Sequence, residues 1–173
     1  MTKKTTVLLL VFVLFTAIFG FGALKSQHKI HKTMTLEAVS VQNLYEEKSR
    51  LDLVTQDPFY VIHVFTTQAS LSDMEFKTMK MIAQNDISVR GVALKEDAAL
   101  VKKRIQEIYN PYETVGLSIN GGVGVDLGVT SPPETLVMSG HKVLHRFKGP
   151  VLEKDIVEII LPLKDKIKLG KSA

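Results

Sequence analysis

Two adjacent prolines, Pro132 and Pro133, stand directly before a short apolar run, and they constrain the fold more than any other stretch of the chain. Neither can donate a backbone hydrogen bond, and each fixes its own φ near about −65°. Thr135 to Met138 is apolar and β-favouring. Ser139-Gly140-His141 then marks a tight hairpin, and Lys142 to Lys148 reads as the return strand. An X-Pro bond prefers trans by only about 0.5–1 kcal/mol, so the turn before this strand is one of the few settings where a cis bond fits.

Upstream, strand and helix patterns alternate. Phe59 to Phe65 is a near-continuous apolar run, as in a central strand buried on both faces, and His63 interrupts it as a core histidine that needs a hydrogen-bond partner. The domain is placed from Asp57-Pro58 onward. Thr66 to Ser70 is a loop, and Leu71, Met74, Met79 and Ile82 mark one face of the helix that follows. Met74, Met79 and Met81 are read as core filling rather than a copper site. Ile87 to Leu94 is the next strand, and Glu96-Asp97 opens a helix with its acidic end at the favourable pole. Ala98, Val101, Ile105 and Ile108 form its buried stripe, and Asn110-Pro111 stops it. The succession predicts parallel strands joined by right-handed crossovers. Asn120 to Gly124 lacks the G-x-G-x-x-G spacing and the Lys-Ser/Thr ending of a phosphate loop, and is read as a loop before a turn at Val125 to Gly128. Leu152, Ile156, Ile159, Ile160, Leu163 and Ile167 outline a last helix that Pro162 should kink or deprive of a hydrogen bond.

The amino-terminal region has a different character. Thr5 to Leu24 carries no charge, and twenty residues at about 1.5 Å each reach about 30 Å, enough to cross a bilayer core. A membrane anchor over residues 1–24 fits this length better than a cleaved secretion signal, whose apolar region runs to about 7–15 residues, although Gly20-Phe21-Gly22 offers cleavage-like small residues. Lysines flank the run on both sides, so charge alone does not orient it. Residues 25–56 read as a juxtamembrane linker and domain entry, with Met34 to Tyr45 as a first strand and turn. Within it, His28 and His31 share a helical spacing, but a solvated segment near anionic headgroups is preferred to a metal or haem site. A mild net charge of +4, with both signs mixed along the chain, gives no nucleic-acid footprint.

Leu127-Gly128-Val129, three further residues, then Pro133-Glu134-Thr135, followed by the hairpin and Gly149, resembles the cis-proline loop of the DsbE/CcmG family. Asn110-Pro111-Tyr112 and the proline in the last helix resemble that family too. The resemblance implies a thioredoxin-like α/β fold over residues 57–168, a central mixed sheet flanked by helices, with a basic tail at 169–173. It further implies a single-pass bacterial inner-membrane protein whose domain faces the periplasm, serving cytochrome c maturation by thiol:disulfide interchange. Its partners would be apocytochrome c or other maturation proteins, with no nucleic acid, cofactor or metal.

Against that pattern the chain contains no cysteine. Gln68 stands in place of the family's tryptophan, and Ala69 and Ser72 stand at its two cysteine positions. The chemistry of such a site needs a thiolate and a second thiol to resolve the mixed disulfide. Alanine has no nucleophile, and serine cannot form a disulfide. No catalytic residue is therefore expected. The expected binding residues are Ser131, Pro133 and Glu134 of the loop, with Glu75 and Gln68. Ser72-x-x-Glu75 also fits a capping box, and Glu134 also fits an exposed charge where the strand begins. As a carboxylate pair for hydrolysis, Glu75 and Glu134 lack substrate-holding neighbours. The expectation is a domain that binds without redox chemistry; the alternative is a redox component active only with a cysteine-bearing partner.

Overall fold

A computed structural model describes residues 34–67, 72–108 and 110–170. The expected anchor at Thr5–Leu24, the pair His28 and His31, and the positions Gln68 and Ala69 lie outside the described residues. Among the described residues no helix is long and apolar enough to cross a membrane.

Eight strands form one mixed sheet. They are β1 (Met34–Thr35), β2 (Ser40–Asn43), β3 (Arg50–Asp52), β4 (Tyr60–Phe65), β5 (Ser88–Leu94), β6 (Thr114–Ser118), β7 (Glu134–Ser139) and β8 (Lys142–Lys148), in the order β1-β8-β7-β4-β5-β6-β2-β3. As the alternation predicts, β4, β5 and β6 are parallel neighbours. The helices are α1 (Ser72–Ala83), α2 (Ala98–Glu107), α3 (Gly122–Asp126) and a composite α4. All six residues of β4 are buried, so its two faces feed two apolar layers. One holds Val61, Phe65, Met79, Ile82 and Ile105, and the other holds Tyr60, Ile62, Val64, Leu127 and Leu136.

The fold starts earlier than residue 57. β1, β2 and β3 belong to the sheet, and the folded unit runs from Thr33. Val41 of β2 is buried and lies so close to Gly116 that an added Cβ there would stand 2.0 Å from a Val41 methyl. Leu44 and Leu53 are also buried. The segment after β3 is tied down by Arg90, whose guanidinium donates to the Leu53 carbonyl and the Thr55 hydroxyl, pairs with Asp57, and lies 4.2 Å from the centre of the Tyr60 ring.

Two helices depart from expectation. In α1 the buried face is Glu75, Phe76, Met79 and Ile82, whereas Met74 is exposed. The glycine-rich stretch is a short helix, α3, rather than a loop, entered through Gly121 at φ +76°. Helix α4 answers Pro162 by a change of winding: Glu153–Asp155 leads into a π-helical turn, Ile156–Ile160, and then Leu161–Lys168. Leu161 N–H donates to the Ile156 carbonyl, a π-type bond that lies just before the missing N–H of Pro162. Ile156 and Ile160 stay buried through this turn, while Leu152 is exposed.

Candidate functional site

The two candidate carboxylates sit at the C-terminal end of β4, one on each side of it. Glu134 opens β7 and pairs in register with Val64, while Glu75 comes from the first turns of α1.

The loop before β7 carries the cis bond that the sequence allows, between Pro132 and Pro133. Glu134 holds this loop from beneath. It is buried, not an exposed strand-start charge. Its Oε1 accepts from the Thr130 N–H at 2.7 Å, the Thr130 hydroxyl at 2.8 Å and the Ser131 N–H at 3.1 Å. Its Oε2 accepts from Arg146 Nη1 at 3.0 Å. Arg146, on β8 across the hairpin, also donates to the carbonyls of Gly128 and Leu127, so one cation fastens both ends of the turn. Burial works against a charged Glu134, but the N–H groups of Ser131 and Thr130, the Thr130 hydroxyl and Arg146 outweigh it and bring its pKa down from 4.5 to about 2. Glu134 is thus a permanent anion committed to the loop, and it offers nothing to a ligand directly. The surface that remains is Thr130 and Ser131, both exposed, and the half-buried prolines.

Glu75 is buried as well, at 3% exposure. Ser72 is already the first residue of α1, and the Glu75 carboxylate turns into the core toward His63 of β4. His63 Nδ1 is 2.8 Å from the Tyr112 hydroxyl, which supplies the partner expected for a core histidine. His63 Nε2 faces Glu75 Oε1 at 3.8 Å, beyond hydrogen-bond reach, and neither atom has a hydrogen-bond partner among the described residues. Burial, and then the nearby Glu75 charge, push the Tyr112 phenol well above its usual pKa, so its proton stays on. The protonated Tyr112 hydroxyl shares its hydrogen bond with His63 Nδ1, and Nε2 is the ring nitrogen on the Glu75 side. Phe65 and Phe76 complete the cluster, with Phe65 stacked on Tyr112 at 5.4 Å. Asn110 positions Tyr112 by accepting its N–H.

Glu96 is a further member that sequence reasoning assigned only to a helix start. Asp97 is the cap of α2, accepting from the N–H groups of Ala99 and Leu100. Glu96 instead turns back to β4 and accepts from both the N–H and the hydroxyl of Thr67, each at 2.8 Å. It thereby fixes the last described residue before Gln68. Among the described residues no group of His, Asp and Glu side chains is arranged to hold a metal.

The arrangement provides a loop locked by Glu134 and Arg146, and separately a buried acid that faces a histidine on β4. Ser131, Pro133 and Glu134 are together in the loop, and Glu75 belongs to the His63 cluster. In chemical terms it can bind and orient, and it has no thiol with which to exchange disulfides.

No family model matches the chain. In sequence it is 28% identical over 178 residues to the thiol:disulfide interchange protein DsbE of Haemophilus influenzae, covering 96% of this chain and 98% of that protein. To the Escherichia coli protein of the same name it is 28% identical over 116 residues, 66% of this chain and 63% of that one. In structure it is similar to a secreted thiol-disulfide isomerase of Corynebacterium glutamicum, with a TM-score of 0.66 at 15% identity over 80% of this chain and 95% of the other. A thioredoxin-like protein of Aeropyrum pernix gives a TM-score of 0.62 at 12% identity over 72% and 89%. These structural likenesses carry the fold alone. The chain is thus similar in sequence to the DsbE thiol:disulfide interchange proteins, its fold is thioredoxin-like, and it has no cysteine.

Proposed function

We propose that this chain keeps the polypeptide-binding surface of a DsbE-like protein and does not itself carry out thiol:disulfide exchange. It holds an extended segment of apocytochrome c, or of another cytochrome c maturation protein, against the loop Thr130–Pro133. The apolar run Thr5–Leu24 tethers it to the bacterial inner membrane, with the domain in the periplasm. The supporting observation is the lock on that loop. Four hydrogen bonds reach the buried Glu134 carboxylate, and none of them depends on a thiol. A loop held in place by these bonds and partly exposed is preorganised for a backbone partner, which lowers the ordering cost of binding.

The test is fluorescence anisotropy with the full chain and a labelled synthetic peptide bearing Cys-x-x-Cys-His, the c-type haem attachment pattern. The peptide thiols are alkylated, so no exchange can contribute. Saturable binding that Ser131→Arg weakens at least fivefold is expected, because Ser131 is exposed on the ledge. Absence of binding, or identical binding by the variant, overturns the reading.

A further inference from the structure

The backbone donors of the loop are all accounted for. Val129 N–H goes to the Gly124 carbonyl at 2.7 Å, and the N–H groups of Thr130 and Ser131 go to Glu134. Pro132 and Pro133 have no N–H at all. The acceptors tell the opposite story. The Pro133 carbonyl is taken by Gly149 N–H at 2.8 Å, but among the described residues no donor reaches the carbonyls of Thr130, Ser131 or Pro132. Thr130 and Ser131 are exposed and Pro132 is half-buried, so this edge faces outward.

A strand added in antiparallel fashion normally exchanges two bonds with one residue, giving an N–H and receiving one. None of the three residues can complete such a pair here. At Thr130 and Ser131 the donor is spent on Glu134, and at Pro132 it does not exist. We propose that Pro132 makes the loop an acceptor-only ledge, one that selects an extended polypeptide by the partner's own N–H groups and returns no hydrogen bond to it. This inference rests on the polypeptide-binding reading above and adds its selectivity. The residue facing Pro132 cannot be proline or N-alkylated, and its carbonyl must stay in water. A polyproline-type segment, which has few N–H donors, does not fit. One-sided bonding also favours hold-and-release over a long-lived complex, since a missing bond shows mainly in the dissociation rate.

Restoring the donor tests this. The full chain, Pro132→Ala and Pro132→Val are compared by anisotropy with the same alkylated Cys-x-x-Cys-His peptide and with a set in which each peptide nitrogen is methylated in turn. Far-UV circular dichroism checks that both variants fold, and the two replacements differ in bulk but share the new N–H. The expected result is about 2–10-fold tighter binding by both variants, the range for one net hydrogen bond. In the methylated set, at least one position should abolish binding to wild type. Equal or weaker binding by the folded variants, with wild type still binding, overturns the ledge and leaves the binding function standing. Binding by the variants but not by wild type overturns the proposed function and, with it, selection of a polypeptide by the wild-type ledge. Failure of all three proteins to bind, or wild-type binding indifferent to every methylation, removes the ledge as a polypeptide site.

Discussion

His63 Nε2 and Glu75 Oε1 face each other across 3.8 Å inside the core, and neither has a hydrogen-bond partner among the described residues. Each atom has been taken out of water, and each has the other as its nearest answer. A buried polar group left alone costs about 1–3 kcal/mol, so the two should depend on each other. His63→Leu and Glu75→Leu are each expected to lower stability by about 1–3 kcal/mol, and the double variant by less than the sum, with a coupling of about 0.5–3 kcal/mol. Urea unfolding of the four proteins measures this. Strict additivity would show that the two side chains do not sense one another.

Glu134 gives the protein an acid-sensitive loop. Its folded pKa of about 2 lies below the ordinary 4.5, so it contributes stability above about pH 4.5 that is lost as the pH falls toward 2. A shift of that size corresponds to up to about 3 kcal/mol, at roughly 1.4 kcal/mol per pH unit. Stability of Glu134→Gln, followed by denaturant unfolding between pH 7 and pH 2, should be lower at neutral pH and fall less with acid than wild type. Parallel curves would mean that the carboxylate does not titrate with the fold.

Tyr112 is held over β5 at Gly91, where an added Cβ would stand 2.9 Å from the ring. Gly91→Ala must displace the ring that bonds His63. The expected cost is about 1–3 kcal/mol, as for other overpacked cores, with a smaller loss in Gly91→Ala/Tyr112→Leu than in Gly91→Ala alone relative to its matched parent. Thermal unfolding of the four proteins decides it.

Redox chemistry should return when its atoms do. Ala69→Cys together with Ser72→Cys restores two thiols at the family's spacing, at the start of α1. The double variant is expected to form a disulfide and reduce insulin in the presence of dithiothreitol, while wild type adds nothing to the dithiothreitol background. Insulin turbidity is the readout, and equal rates would mean that positions 69 and 72 do not present the pair.

How much of this was legible in the sequence depended on the length of the signal. The run Phe59–Phe65 gave β4 because a strand buried on both faces is continuously apolar, and Pro132-Pro133 gave the turn because two missing donors leave few alternatives. β1, β2 and β3 have two, four and three residues, too few for alternation to show, so a single strand and turn was expected over Met34 to Tyr45 where the sheet has three short strands over 34–52. Glu75 was read as a binding residue or a helix cap, because Ser72-x-x-Glu75 fits a capping box. Its place on the stripe with Met79 and Ile82, four and seven residues on, was the available signal that it points inward. Glu134 and Arg146 were not seen as a pair, since twelve residues and a hairpin separate them and only the β7–β8 register brings Leu136 opposite Arg146 and Glu134 within its reach.

The central claim is that the loop above Glu134 binds polypeptide without thiol chemistry. The most direct measurement is a titration of the isotope-labelled full chain with the alkylated Cys-x-x-Cys-His peptide, followed by amide NMR shifts. The account predicts saturable shifts concentrated at Val129, Thr130, Ser131 and Glu134, with Gly170 unmoved. Shifts located elsewhere, or none at saturating peptide, would contradict it.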